Sequence, residues 1–199
     1  MKYKYMSSII YFDACKINGV LMKNNSKNLI IDVDGVMTTG RFFYSGENGK
    51  FIKEFGSDDS DAISLLKPHI KNIQFVTGDK RGFAISSKRI YEDMGFKINL
   101  VSTTQRSLWI KDNFDDINNV IYIGDGIFDH YVFKSVGYSI ATANALPHVQ
   151  KRADYVTTRK GADGAVAEAA LHILDKFFVA YDPDKPLPKD IKFSGTWQS

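Results

Sequence analysis

Six short apolar runs recur along this chain, each separated from the next by a longer, more polar stretch. That alternation constrains the fold more than any other feature. Leu29–Val33, Ile73–Thr77, Ile98–Ser102, Val120–Gly124, Tyr138–Ala141 and Asp154–Thr157 are compact, rich in β-branched residues and continuous rather than alternating. Such runs suit strands covered on both faces. Between them the spacing predicts helices over Phe83–Met94, Thr104–Phe114, Phe128–Val136, Ala145–Lys151 and Ala165–Val179. A further helix carries Ile63, Leu66 and Ile70, with Ser60 or Asp61 as its cap and Pro68 near its end. Gly95 would stop the helix over Phe83–Met94, and Ala169, Ile173 and Phe177 line one apolar stripe of the last. Strand–helix alternation repeated this often predicts an α/β fold, a mostly parallel sheet between two layers of helices.

Three segments fall outside the alternation. Arg41–Phe55 holds two aromatic-rich runs around Gly46-Glu47-Asn48-Gly49, the pattern of a β-hairpin. It follows the first strand directly, so it should project from the sheet's carboxyl edge. Residues 1–27 form an N-terminal extension and 181–199 a proline-rich tail, which leaves 28–180 as the main domain of a 199-residue chain. Composition narrows the function only by exclusion. A net charge of +3 is too slight to argue for nucleic acid, and no apolar run approaches the length of a membrane span. The single cysteine, Cys15, rules out an intrachain disulfide. The apolar patch Ile9–Phe12 is too short for a secretory signal, so a cytoplasmic protein is expected.

The chemistry lies in the polar residues that end the strands. Asp32-Val33-Asp34-Gly35 closes the first run, Thr77-Gly78 the second, and Gly124-Asp125-Gly126-Ile127-Phe128-Asp129 the fourth. Each alone is an ordinary turn. Parallel strands, however, bring their carboxyl ends to one edge, where α/β sheets bind ligands. Carboxylates gathered there repel one another unless a hard divalent cation balances them. With such a cation, one Asp can attack a phosphoryl group, a second can move the proton, and a hydroxyl and a basic side chain can hold the phosphoryl oxygens.

The ordered set Asp32-x-Asp34-Gly35-Val36, Val76-Thr77-Gly78, a basic residue, then Gly124-Asp125-x-x-x-Asp129 resembles the haloacid dehalogenase superfamily of Mg²⁺-dependent phosphatases. It is similar above all to the small-cap members that act on ulosonic acid phosphates, the 3-deoxy-D-manno-octulosonate 8-phosphate phosphatase type. The Gly40–Phe55 hairpin, Ala153–Thr157 and Gly161–Val166 carry that closer likeness. The resemblance implies a Rossmann-like three-layer sandwich with a hairpin flap in place of a large cap. It implies Asp32 as nucleophile, Asp34 as general acid/base, and Mg²⁺ held by Asp32, Asp125 and the Asp34 carbonyl. Asp129 would join the metal site or orient its neighbours. Thr77 and Arg106 would bind the phosphoryl group, with Lys111 as the alternative cation, and Gly78 and Lys80 would contact substrate. The partner would be a phosphorylated sugar, and the hairpin aromatics Phe42, Phe43, Tyr44 and Phe51 would assemble a homotetramer unless the hairpin folds back on its own chain.

Departures bear on the sugar. The subfamily's Thr-Gly-Arg is Thr77-Gly78-Asp79 here, and its Gly-Asp-Asp is Gly124-Asp125-Gly126. Asp58-Asp59-Ser60-Asp61 is more acidic than the family pattern. Extra acids at the pocket would disfavour a carboxylate-bearing substrate; Asp58–Asp61 would otherwise serve to cap a helix. Met22 begins a stretch like a typical family start, and Trp197 lies in a tail that could reach a neighbour. Two other readings remain: a receiver-like phospho-switch, whose phosphorylated Asp follows a middle strand, and a catalytically idle scaffold of the same fold.

Overall fold

A computed structural model describes residues 26–186 and, before them, the backbone of one short antiparallel pair, Lys16–Ile17 with Val20–Leu21. The expectations for Ile9–Phe12, Met22 and Trp197 lie outside the described residues. The central sheet has six parallel strands: β1 (Asn28–Asp32), β4 (Asn72–Thr77), β5 (Lys97–Leu100), β6 (Val120–Gly124), β7 (Tyr138–Ala141) and β8 (Tyr155–Val156). The hairpin strands are β2 (Thr38–Ser45) and β3 (Gly49–Phe55), paired only with each other. Across the main sheet the order is β8-β7-β6-β1-β4-β5.

Why the runs form these strands is visible in their burial. Leu29 and Ile31 of β1 face one core while Ile30 faces the other, and all three are inaccessible to solvent. A strand buried on both faces cannot afford alternating polarity. One layer is made by α1 (Asp58–Leu66), α2 (Phe83–Ser87, extended by a wider turn to Asp93) and α6 (Ala165–Phe177). The opposite layer is made by α3 (Arg106–Asn113), α4 (Asp129–Phe133) and α5 (Pro147–Gln150).

The start of α1 differs from expectation. The helix begins at Asp58, so Ser60 and Asp61 lie within its first turn, and no side chain caps it from Ser57. Asp58 and Asp61 are exposed, whereas Asp59 is fully buried and caps a different helix. Its carboxylate accepts from the Ala167 N–H at 3.0 Å, in the first turn of α6. The residue at that helix's own N-cap, Gly164, has no side chain to offer, so the donors are satisfied from across the core. Burial pushes the Asp59 carboxyl above its ordinary value, against the pull of the Ala167 and Val166 N–H groups.

The strand order decides where a ligand can sit. From β1 the chain runs outward through β4 to β5, then returns to place β6 on the other side of β1. Neighbouring loops β1–β2 and β6–α4 therefore diverge, leaving a crevice at the carboxyl ends of β1 and β6. Asp32 and Asp125 stand on its two sides.

Candidate active site

Asp32 is the last residue of β1, and the chain after it makes one wide turn through Val33–Met37. The Thr38 hydroxyl holds that turn, accepting from the Gly35 and Gly40 N–H groups at 3.3 and 3.2 Å and donating to Val33 O at 3.3 Å. Gly35 has φ +91°, and a Cβ there would overlap the Asp125 carboxylate. The Asp-x-Asp-Gly turn thus needs glycine both for its backbone and for its contact with β6. Gly161 presses on the same turn: a Cβ there would overlap the Gly35 carbonyl.

Asp32, Asp125 and Asp129 each bring a carboxylate oxygen into one group whose members lie within 4.8 Å of one another. Asp32 is buried and bound bidentately by Arg106, whose Nη1 and Nη2 donate at 2.6 and 2.9 Å. Its Oδ1 also accepts from the Val33 N–H at 2.7 Å. Burial raises its carboxyl to about 7, with Arg106 pulling it down and Asp129 pushing it up. Asp125 is raised to about 8, by burial first and then by the charges of Asp32 and Asp129. Its Oδ1 is buried without a hydrogen-bond partner. Three crowded carboxylates with one orphaned oxygen fit a hard, oxygen-seeking divalent cation such as Mg²⁺.

Asp129 is more completely engaged. Its Oδ1 accepts from Arg106 Nη1 at 3.0 Å and from the Tyr122 hydroxyl at 2.9 Å, and its Oδ2 from the Gly126 N–H at 2.9 Å. It therefore clamps the guanidinium that faces Asp32. Arg106 itself is 2% exposed, and its Nε has no partner.

Asp34 lies outside that group of three. Its Oδ2 accepts from the Thr77 hydroxyl at 2.7 Å, at the end of β4, and its Oδ1 from Lys53 Nζ at 2.6 Å. Lys53 comes from the hairpin strand β3, and its side chain is 1% exposed. It also donates to Ser86 Oγ at 3.0 Å and stands 2.9 Å from Asp79 Oδ2. Lys50 pairs with the same oxygen at 2.8 Å and lies 3.9 Å from the Phe42 ring centre. Both are close ion pairs. Burial alone would raise the Asp79 carboxyl, but the two lysines and the Gly82 N–H hold it down at about 2.

Of the residues anticipated from sequence, Asp32, Asp34, Thr77, Arg106, Asp125 and Asp129 converge on one crevice. Gly78 and Lys80 are exposed on the loop after β4, and Lys111 is exposed in the last turn of α3. Lys53, Tyr122 and Asn144 were not anticipated. Lys53 reads as one more surface residue of an exposed hairpin, and Tyr122 as core. Asn144 had a signal: it follows β7 just as the other polar residues follow their strands. Its carboxamide meets Asp125, Gly35 and Gly161.

The histidines stand apart: His130 and His148 share the Ile127 carbonyl, His172 stacks on Tyr155, and His69 meets the Phe178 ring. Among the described residues no helix is long and apolar enough to cross a membrane.

Comparison with known proteins finds relatives of the same fold. The family model of haloacid dehalogenase-like hydrolases matches residues 111–169. The 3-deoxy-D-manno-octulosonate 8-phosphate phosphatase of Escherichia coli K12 is 34% identical over 150 residues, covering 72% of this chain and 77% of that protein. The Yersinia pestis phosphatase of the same name is 31% identical over 179 residues, covering 85% and 92%. Among solved structures, the cobalt-bound phosphatase of Haemophilus influenzae superposes with a TM-score of 0.65 at 31% identity, covering 76% of this chain and 88% of that one. The Moraxella catarrhalis enzyme, in complex with magnesium, phosphate and a KDO molecule, superposes with a TM-score of 0.65 at 26% identity, covering 76% and 87%.

Proposed function

The chain belongs to the haloacid dehalogenase-like hydrolases, and we propose that it is a Mg²⁺-dependent phosphatase acting on a sugar phosphate. The observation that carries this reading is the crevice between β1 and β6. It sets the buried Asp32 beside an Asp125 with an unpartnered oxygen, and Asp34 just outside their group, tied to Thr77. Asp32 and Asp125 would hold the cation, with the Asp34 carbonyl as the resemblance implies. Bound there, Mg²⁺ would neutralise the carboxylates and draw charge from the phosphoryl oxygens.

The protein's own groups supply the rest. An Asp32 oxygen attacks phosphorus, the bond to the sugar oxygen breaks, and Asp34 gives that oxygen its proton. Asp34 then takes a proton from water, whose oxygen attacks the aspartyl phosphate and releases inorganic phosphate and free Asp32. Thr77 and Arg106 would hold the equatorial oxygens, and Asp129 with Tyr122 would keep Arg106 oriented. A receiver-like switch or an idle scaffold finds no comparable support in this arrangement.

The relatives from Escherichia coli and Yersinia pestis are named for an octulosonate phosphate. Asp79 favours a different sugar. It stands where the resembled subfamily commonly has arginine, and it already occupies Lys50 and Lys53. A substrate recognised through hydroxyl or amine groups suits this mouth better than one bearing a carboxylate. The hairpin supports a homo-oligomer, a tetramer as the resemblance implies. Phe42, Phe43, Tyr44, Phe51 and Ile52 are all exposed, more apolar surface than a lone two-stranded ribbon buries. Sedimentation showing a monomer would remove that part of the reading.

A panel of acidic and neutral sugar phosphates with Mg²⁺, run beside Asp32→Asn, tests the function. Turnover should require Mg²⁺ and vanish in the variant. Unchanged activity without the nucleophile would overturn the mechanism, and a clear preference for ulosonates would overturn the choice of sugar.

A further inference from the structure

We propose that Asn144 is a positioning residue for the cation, fixing which oxygen of Asp125 is presented to it. The proposal rests on Asp32 and Asp125 being cation ligands, as read above. Asn144 sits on the loop after β7, and both the nitrogen and the oxygen of its carboxamide are hydrogen-bonded. Nδ2 donates to Asp125 Oδ2 at 2.9 Å and to the Gly35 carbonyl at 2.9 Å. Oδ1 accepts from the Gly161 N–H at 2.8 Å. The Gly161 donor fixes the amide's orientation, because only its oxygen can accept there.

This wiring has a direct consequence for Asp125. One carboxylate oxygen is occupied by the amide, and the other, Oδ1, is the buried one left without a partner. The same amide ties Asp125 to the Asp-x-Asp-Gly turn through Gly35 and to the Gly161 loop, so three loops share one side chain. The loop that carries Asn144 is itself anchored. The Ala143 N–H donates to Arg159 O at 3.1 Å and to Thr157 Oγ1 at 3.2 Å, and Gln150 Nε2 donates to Ala143 O at 3.0 Å. Outer-shell partners of this kind tune affinity by orienting the ligand. Asn144 is exposed, so its replacement should leave the core packing unchanged.

The test is calorimetric titration of Mg²⁺ into the full chain, comparing the parent with Asn144→Leu and Asn144→Ser, alongside thermal unfolding in chelator. The expected result is a Mg²⁺ dissociation constant raised about tenfold in both variants, the low end for outer-shell ligands because Asn144 faces solvent. The chelated midpoint should fall by only a few degrees, the loss of about one to two net hydrogen bonds on exposed loops, and turnover should recover at saturating Mg²⁺. A parent that binds no Mg²⁺ would sink the reading of Asp32 and Asp125 as ligands. A parent that binds, with variants within twofold of it, would sink the role of Asn144 alone. Turnover that stays low at saturating Mg²⁺ would assign Asn144 to the fold of the turn and likewise overturn the proposal. Should the leucine variant fail to fold, the serine variant decides.

Discussion

Gly35→Ala is a severe small change at this site, combining a clash with a strained backbone. The added Cβ would lie 2.5 Å from Asp125 Cγ and 2.6 Å from its Oδ1, where ordinary contact begins near 3.4 Å. One of the two must move by about 1 Å, and misplacement on that scale costs roughly a hundredfold in rate when it disturbs reacting groups. The backbone adds to this, because φ is +91° and a side chain there is strained by about 1–2 kcal/mol. For a domain of this size that strain lowers the midpoint by roughly 2–8 °C. The expected outcome is a folded protein whose kcat/KM is down about a hundredfold and whose Mg²⁺ requirement has risen, read by phosphate release over a Mg²⁺ titration. Gly46→Ala is the control: it lies in the hairpin turn with nothing within 4 Å of its added carbon, and it should change neither quantity. Activity in Gly35→Ala within threefold of the parent would refute the claim that Gly35 and Asp125 are in obligatory contact.

Two further outcomes follow from buried charges. Lys53→Met keeps the stem and removes the ammonium that bonds Asp34 and Ser86, so kcat should fall by about ten- to a hundredfold while Asp79 keeps Lys50; steady-state kinetics within twofold of the parent would show Lys53 to be structural. Asp59→Ala removes the cap on α6, at a cost of about 1 kcal/mol. The raised Asp59 pKa sets the pH dependence: below its unfolded value of ~4 the acid is neutral in both states, and as pH rises through the folded value the parent loses stability. The variant escapes that loss, so its deficit in chemical denaturation should be largest near pH 4 and shrink towards neutrality. A deficit that grows with pH would contradict the burial argument.

Much of the fold was legible because both-faced burial demands continuous apolar runs. The expected strands Val120–Gly124 and Tyr138–Ala141 coincide with β6 and β7. Ile98–Ser102 overran β5, which ends at Leu100 because the chain turns through a short 3-10 segment at Thr103–Gln105. Asp32, Thr77 and Asp125 were legible for a topological reason, since parallel strands deliver their ends to one edge. Arg106 needed the family resemblance, as nothing local marks one arginine of a helix as buried. Lys53 and Tyr122 reach the site by tertiary routes, one folded back 19 residues after Asp34 and the other inward from an apolar strand. By sequence the acidic run Asp58–Asp61 reads as a pocket feature or a helix cap. It is a cap at Asp59, but for a helix a hundred residues away.

The hairpin is usually thought of as surface, yet Lys53 makes it a measuring device. Lys53 pairs across the ribbon with Phe42, between two register irregularities, and its neighbours Ile52 and Glu54 are exposed. A one-residue slip on a strand turns each side chain to the opposite face. A single insertion or deletion within the paired part of β3 before Lys53 would therefore swing the ammonium into solvent and offer Asp34 a carboxylate or an isoleucine instead. Length changes in this ribbon should be tolerated at the Gly46–Gly49 tip, where the turn absorbs them without moving the register. What is fixed is the pairing of Lys53 with Phe42, not the number of residues that separate Lys53 from Asp34.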